Sequence, residues 1–393
     1  MTSTPQITFQ RDPFTWLSYG MIAYFAYIEA VLGPLMPFLR TELHLNYTMA
    51  GVHFSLFALG VVTAGFFADR IAERWGRRVA WWGGGVGMAA GMMLLAMAKV
   101  VAFTIAASWA MGFFGGVMFI IVQAAIADHH PLFRTVSLTE ANIAASLSVT
   151  LEPLFIGLFQ QWGLGWRSTL WIIASSFLFV VWRTRHIPIT TQLRHHPDTP
   201  PAPAGGKMPL AFWLYWLVLF FGVAAEWCVA FWGAEFLQIN PELTKTTAVS
   251  LMSTFFAAAV LARFFASRLA HRFSATTLLI VTIGLAAIGF LPFWLPTPTV
   301  ITVGGLFILG FGIANFYPLS LSLAMGIVPH RADVASARIT IGTGMAVLLL
   351  PLTLGGMADR IGIETAFGTV GVLLAAILVI ALLANRKLAA QSA

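Results

Sequence analysis

Three glutamates, Glu29, Glu152 and Glu226, stand deep within long, otherwise apolar stretches. Placing an ionisable side chain at such depth in hydrocarbon costs about 2.5 to 3.5 kcal/mol, so each must face a cavity or a partner. Burial penalises the charged form, which lets a carboxyl of this kind take up and release a proton. The same group can instead hold a cationic solute, or sit inert, hydrogen-bonded to a neighbouring helix. Tyr24, Tyr27, Gln123, Trp227, Trp232, Asn315 and Tyr317 share these stretches and are candidates to line a solute cavity, because buried amides and phenols need partners. No Ser-His-Asp or metal-ligand arrangement has a compatible topology. His129-His130 and His195-His196 fall in polar loops and are read as solvated. The glycine run from Gly83 to Gly87 lacks the preceding strand and the lysine of a phosphate-binding loop. No catalytic residue, cofactor or resident metal is expected, and the chain does not read as an enzyme.

A second set of charges is organised differently. From Gly65 to Arg78 the sequence runs GFFADRIAERWGRR, a dense charge cluster between two apolar segments. Such a cluster belongs in a short turn outside the hydrocarbon. A weakened copy, ARFFASRLAHRF from Ala262, follows AGFFADRIAERW from Ala64 at an offset of 198 residues. Pro153 and Pro351, Pro131 and Pro329, and Phe38-Leu39 and Phe236-Leu237 keep the same offset. Matches this scattered indicate two parallel repeats, with a cavity between them as the natural place for a solute.

The elements that must position these residues follow from composition. The 393 residues are 59% hydrophobic and 9% charged, more apolar surface than a soluble core of this size can hide. The chain is therefore read as an all-α polytopic membrane protein. The N-terminus lacks the basic region and cleavage site of a signal peptide, so the first helix is expected to be retained. Cys228, the lone cysteine, excludes an intramolecular disulfide and a cysteine metal cluster.

Apolar stretches bounded by charge and proline predict twelve transmembrane helices. The first six run over 14–38, 48–69, 79–98, 101–126, 136–160 and 166–183. The second six run over 209–237, 246–266, 275–295, 299–325, 334–358 and 363–385. Residues 1–184 and 209–393 are expected to form two pseudo-symmetric six-helix bundles, joined by a polar, Pro- and Gly-rich cytoplasmic linker over 185–208. With a cytoplasmic N-terminus, one side receives only Arg40, Lys99, Arg167, Lys245 and Arg360, while the other takes the remaining basic residues. Both termini are then cytoplasmic. The net charge of +7 reflects this topology rather than nucleic-acid binding.

At this point the sequence resembles the major facilitator superfamily of secondary transporters. The family's signature between helices 2 and 3 is matched by Gly65, Asp69, Arg70, Gly76, Arg77 and Arg78, with Arg74 as an additional cation. The resemblance spans the chain and implies alternating access, in which two bundles rock about a midplane site. It implies a small-molecule substrate and residence in the plasma membrane, the inner membrane of a bacterium. Protons, membrane lipids and a monomeric chain complete the expected setting. It also implies that helix 2 approaches helix 11 and helix 8 approaches helix 5. Asp69 would then meet Arg338, and Glu140 would meet Arg263 or Arg268, as a cytoplasmic gate that forms when the outer side opens. The alternative is that these charges are solvated helix ends enforcing topology. In helix 5 the run SVTLEPLFIG places Glu152 where proton-driven drug antiporters of the family carry Gly. Proton symport of a small solute is therefore favoured, with proton-coupled efflux of lipophilic or cationic compounds as the alternative.

Overall fold

The computed structural model describes residues 9–189 and 208–392. Most of the expected linker, with His195 and His196, lies outside the described residues. Among those described, the protein is helical and contains no strand. The helices are α1 (Pro13–Leu43), α2 (Tyr47–Trp75), α3 (Arg77–Met97), α4 (Val101–His129), α5 (Arg134–Gln161) and α6 (Trp166–Thr184). They continue with α7 (Leu210–Leu237), α8 (Lys245–Leu269), α9 (Ala275–Trp294), α10 (Thr299–Ile313), α11 (Phe316–Ile327), α12 (Ala332–Ile361) and α13 (Ile363–Ser392). Eleven described segments are long and apolar enough to cross a membrane. The twelfth span is α6, which is short and carries Arg167 and Arg183 at its ends.

One span differs from expectation. The stretch expected as a single helix over 299–325 is broken into α10 and α11 at Ala314 and Asn315. Pro318 accounts for the break, because its ring would collide with the carbonyl four residues earlier, that of Ala314, and it has no N–H to offer. The proline is accommodated in the first turn of the new helix.

The 198-residue repeat governs where helices begin. Starts at 47 and 245, 77 and 275, 101 and 299, and 134 and 332 keep the offset, as do the single 3-10 turns at 131 and 329. The caps repeat with them. Asn46 accepts from the Met49 N–H and Thr244 from the Thr247 N–H, each satisfying one of the amides a helix start leaves open. At the corresponding α2–α3 corner Gly76 adopts φ 86°, a backbone state that admits glycine without strain.

The two halves meet chiefly where α2 packs on α12, α5 on α8 and α1 on α7, with a smaller contact of α1 with α8. The end of the molecule that bears Gly65–Arg78 is termed the motif end, and the opposite one the distal end. The halves are joined tightly at the distal end. Arg40 of α1 pairs with Glu235 of α7 at 2.8 Å and lies over the Tyr47 ring at 3.6 Å. Asp359 of α12 accepts the Tyr47 and Thr48 N–H groups at 2.7 and 2.8 Å, capping the start of α2 from the other half. Phe54 stacks on Phe231 at 4.2 Å between ring centres. At Gly33 a Cβ would lie 2.3 Å from the Ala230 carbonyl oxygen, so α1 and α7 touch through backbone.

Candidate functional site

Midway along the molecule, α1, α5, α7 and α8 enclose a cavity of about 180 Å³. Each half contributes two of the four helices. From α1 come Ala26, Glu29 and Ala30, and from α5 Asn142, Ala145, Ser146 and Val149. Glu226, Trp227 and Ala230 of α7 and Phe255, Phe256, Ala259, Val260 and Arg263 of α8 complete the lining. The lining residues on each helix recur three and four positions apart, which puts them on one face, and the small ones on α1 and α5 leave room between the halves.

Two of the three intramembrane glutamates meet in this cavity. Glu29 and Glu226 lie within electrostatic reach of each other. Arg263 approaches Glu226 at 3.6 Å and donates to the Ser146 hydroxyl at 3.3 Å, linking α8 to both α7 and α5. The guanidinium is half exposed, so this pair is worth about 1 kcal/mol or less. It leaves Glu29 as the carboxylate without a cation beside it in the lining. Arg263, expected at the cytoplasmic gate beside Glu140, lines the cavity in this state. Its long side chain reaches inward from the motif end of α8.

Glu152 stands apart from that cavity. It is fully buried on α5, one turn beyond Val149, and neither carboxylate oxygen has a hydrogen-bond partner. Tyr27 on α1 is within electrostatic reach of it, and the Tyr27 hydroxyl is likewise unpartnered. A buried carboxyl with no partner is costly when ionised, and a proton removes most of that cost.

The expected cavity residues divide. Trp227 lines the cavity. Trp232 is instead fully buried, donating from Nε1 to the Pro351 carbonyl at 2.8 Å and packing edge-on against Phe54. Tyr24 stacks on Phe177 at 4.1 Å inside its own half. Gln123 lies on α4, Asn315 is buried at the α10–α11 break and Tyr317 is exposed beyond it; none of these lines the cavity. Helix α7 is apolar on every face, so spacing alone does not tell a tryptophan that faces solute from one that packs. Asn142 and Ser146 were not among the expected residues, although their four-residue spacing puts them on one polar face of α5.

The gate residues are mostly held within their own halves. Glu140 pairs with Arg11 at 2.5 Å and accepts from the Tyr19 hydroxyl at 2.9 Å. In this state Glu140 is thus held within its own half rather than by Arg263 or Arg268. Glu140 is six residues from Ser146, on a different face of α5, turned to α1 rather than to α8. Arg268 lies over the Phe264 ring at 3.7 Å. Arg77 is buried against Asp128 of α4 at 2.7 Å, and Arg78 donates to the Arg185 carbonyl. Arg70 and Arg74 are exposed and lie over Phe67 and Trp75. Asp69 is exposed, and no ion pair joins it to Arg338 among the described residues. Arg338 lies over the Trp213 ring instead, at 5.2 Å. A Cβ at Gly65 would meet nothing within 4 Å.

The Major Facilitator Superfamily profile matches residues 15–332 and 215–392. The chain belongs to the major facilitator superfamily. It is thus an integral membrane secondary transporter for a small molecule, not an enzyme. Among solved structures it is similar to a bacterial homolog of the human lysosomal transporter Spinster in an inward-facing, occupied conformation. That match has a TM-score of 0.75 at 15% identity, covering 94% of this chain and 96% of the other. It is also similar to the nucleoside transporter NupG, with a TM-score of 0.73 at 14% identity, covering 95% of this chain and 97% of the other. At these identities the likeness is one of fold. No curated protein sequence matches the chain significantly.

Proposed function

We propose that this transporter carries a small solute through the α1–α5–α7–α8 cavity by proton-coupled symport. The observation that carries the reading is the meeting of Glu29, Glu226 and Arg263 in a cavity to which both halves contribute. A site built by both halves can be closed from either side as they rock, and its ionisable groups can tie closure to protonation. Neutralising Glu29 lowers the cost of closing an apolar cavity over it. Glu152 supplies a second proton-binding candidate, separate from the solute.

The orientation proposed is a motif end facing the cytoplasm of a bacterial inner membrane, since lysine and arginine concentrate there. Residues 1–184 and 209–393 are the two moving bodies, and the chain works as a monomer among membrane lipids. A joined distal end and a cavity lying beneath it are the arrangement expected of an inward-open state.

Reconstituted protein with proton gradients of either direction tests the coupling. Glu29→Gln, Glu152→Gln and Glu226→Gln should each fold, and at least one should abolish gradient-driven accumulation while sparing solute exchange. If all three retain accumulation, coupling through these groups is wrong. A second reading, efflux of an organic cation, is favoured by one feature, the uncompensated Glu29 in a cavity that also presents Trp227. It predicts that transport is driven by the opposite gradient direction.

A further inference from the structure

The start of α1 is tied to the end of α4 by groups that the transport cycle above does not use. Asp12 caps α1, its Oδ1 accepting the Thr15 N–H at 2.8 Å and the Thr15 hydroxyl at 2.7 Å. Its Oδ2 is left for His129, whose Nε2 lies 2.7 Å away. Burial alone would push the Asp12 carboxyl up, but the hydrogen bonds from Thr15 and His129 hold it below its ordinary value. His130 follows immediately, with Nε2 2.6 Å from the Thr15 hydroxyl. The two imidazoles stand 4.7 Å apart, nearly perpendicular, and are covered by Phe14 and Phe9 at 4.6 and 4.8 Å. One ligand atom each from Asp12, His129 and His130 lies within 4.8 Å of the other two. The expectation that these histidines are solvated is thereby corrected.

Consecutive residues within a helix point about 100° apart and do not converge. Here they do because α4 ends at His129, and His130 leaves the helix at φ −118° and ψ 62°. A simple strut between α1 and α4 needs the His129–Asp12 contact alone. The second imidazole, brought to the same point, is what a strut does not require.

We propose that Asp12, His129 and His130 form a binding site for a divalent transition metal of the Zn²⁺ type. Two imidazoles and one carboxylate suit such ions, whereas Mg²⁺ and Ca²⁺ favour oxygen-only sets. Zinc holds nitrogen and oxygen at about 2.0 to 2.2 Å, so its ligands sit about 3.3 Å from one another in a tetrahedron. The ligand atoms, all within 4.8 Å of one another, would draw in to that spacing around an ion. Thr15 fixes the Asp12 carboxylate as an outer-shell partner does. A half-exposed site leaves the fourth position to water. The bound ion would staple the first turn of α1 to the end of α4.

The full chain, purified in detergent without a polyhistidine tag, can be titrated with Co²⁺, read by its visible absorption, and then with competing Zn²⁺. One equivalent per chain is expected, with Zn²⁺ raising the unfolding temperature. Asp12→Asn preserves the helix cap, since asparagine caps as well as aspartate, yet should weaken binding at least tenfold. His130→Ala should do the same, while a chain carrying His195→Ala and His196→Ala should bind as before. Absence of a Co²⁺ band, a band unchanged by Asp12→Asn and His130→Ala, or a band lost with His195 and His196 would overturn the site. If His130→Ala fails to fold, the Asp12→Asn result decides.

Discussion

The same two helices, α2 and α12, are joined at one end and apart at the other. At the distal end Asp359 caps the start of α2, and two turns further in the Ser55 hydroxyl donates to the Leu348 carbonyl at 2.6 Å. Val62 still touches Gly344, at 3.5 Å from an added Cβ. Continuing that antiparallel register brings Asp69 opposite Arg338, yet no hydrogen bond or ion pair joins the helices there among the described residues. Gly65, one turn before Asp69, faces open space. The distal end is cemented by backbone contact, stacked rings and a buried ion pair. The motif end presents exposed Asp69 and, over the Trp213 ring, Arg338, with no pair between them among the described residues. The structure thus shows these helices joined at one end and unjoined at the other, and in a two-state protein a solute needs to shift only the balance between such arrangements.

The comparison breaks most sharply at Arg40. Its pair with Glu235 is largely buried, the side chains being 18% and 7% exposed, and removing one partner strands the other. Arg40→Ala should cost the distal-closed state about 3 to 5 kcal/mol, seen as a lower unfolding temperature that Glu235→Gln partly restores. At Gly33 an added methyl strikes the Ala230 carbonyl, so Gly33→Ala should cost about 1 to 3 kcal/mol. Cysteine cross-linking between α1 and α7 at the distal end would fall accordingly. Asp359→Ala removes a helix cap at an exposed site, worth about 0.5 to 2 kcal/mol. Its expected effect is faster hydrogen exchange at Tyr47 and Thr48. The smallest effect belongs to the motif end. Asp69→Arg should slow transport a few-fold, about 1 kcal/mol, and Arg338→Asp in the same chain should rescue it. Failure of rescue with intact expression would count against that pairing.

Much of this was legible in the sequence. The 198-residue offset anticipates helix starts and caps because each repeat must solve the same turn chemistry. The approach of α2 to α12 and of α5 to α8 followed from family resemblance. The ion pairs of this state did not follow. Glu140 and Arg263 sit on facing helices, but a rotation of six residues sends Glu140 to Arg11 and Tyr19, a detail no spacing rule carries. Arg40, Glu235 and Asp359 each read as unremarkable residues near a helix end. Their meaning is relational, as Asp359 caps a helix that begins 312 residues earlier. Trp232 was drawn to the cavity by its type, whereas its Nε1 was needed by the Pro351 carbonyl.

The central claim is that the two ends of α2 and α12 exchange contact. Spin labels at Trp75 and Ser336, both exposed at the motif end, report that distance directly, with buried Cys228 leaving introduced cysteines to be labelled selectively. In the unmodified distal background the labels should be far apart. Adding Arg40→Ala and Asp359→Ala should produce a shorter-distance population, and Asp69→Asn on top of them should reduce it again. A motif-end distance unchanged by the two distal substitutions would contradict the account.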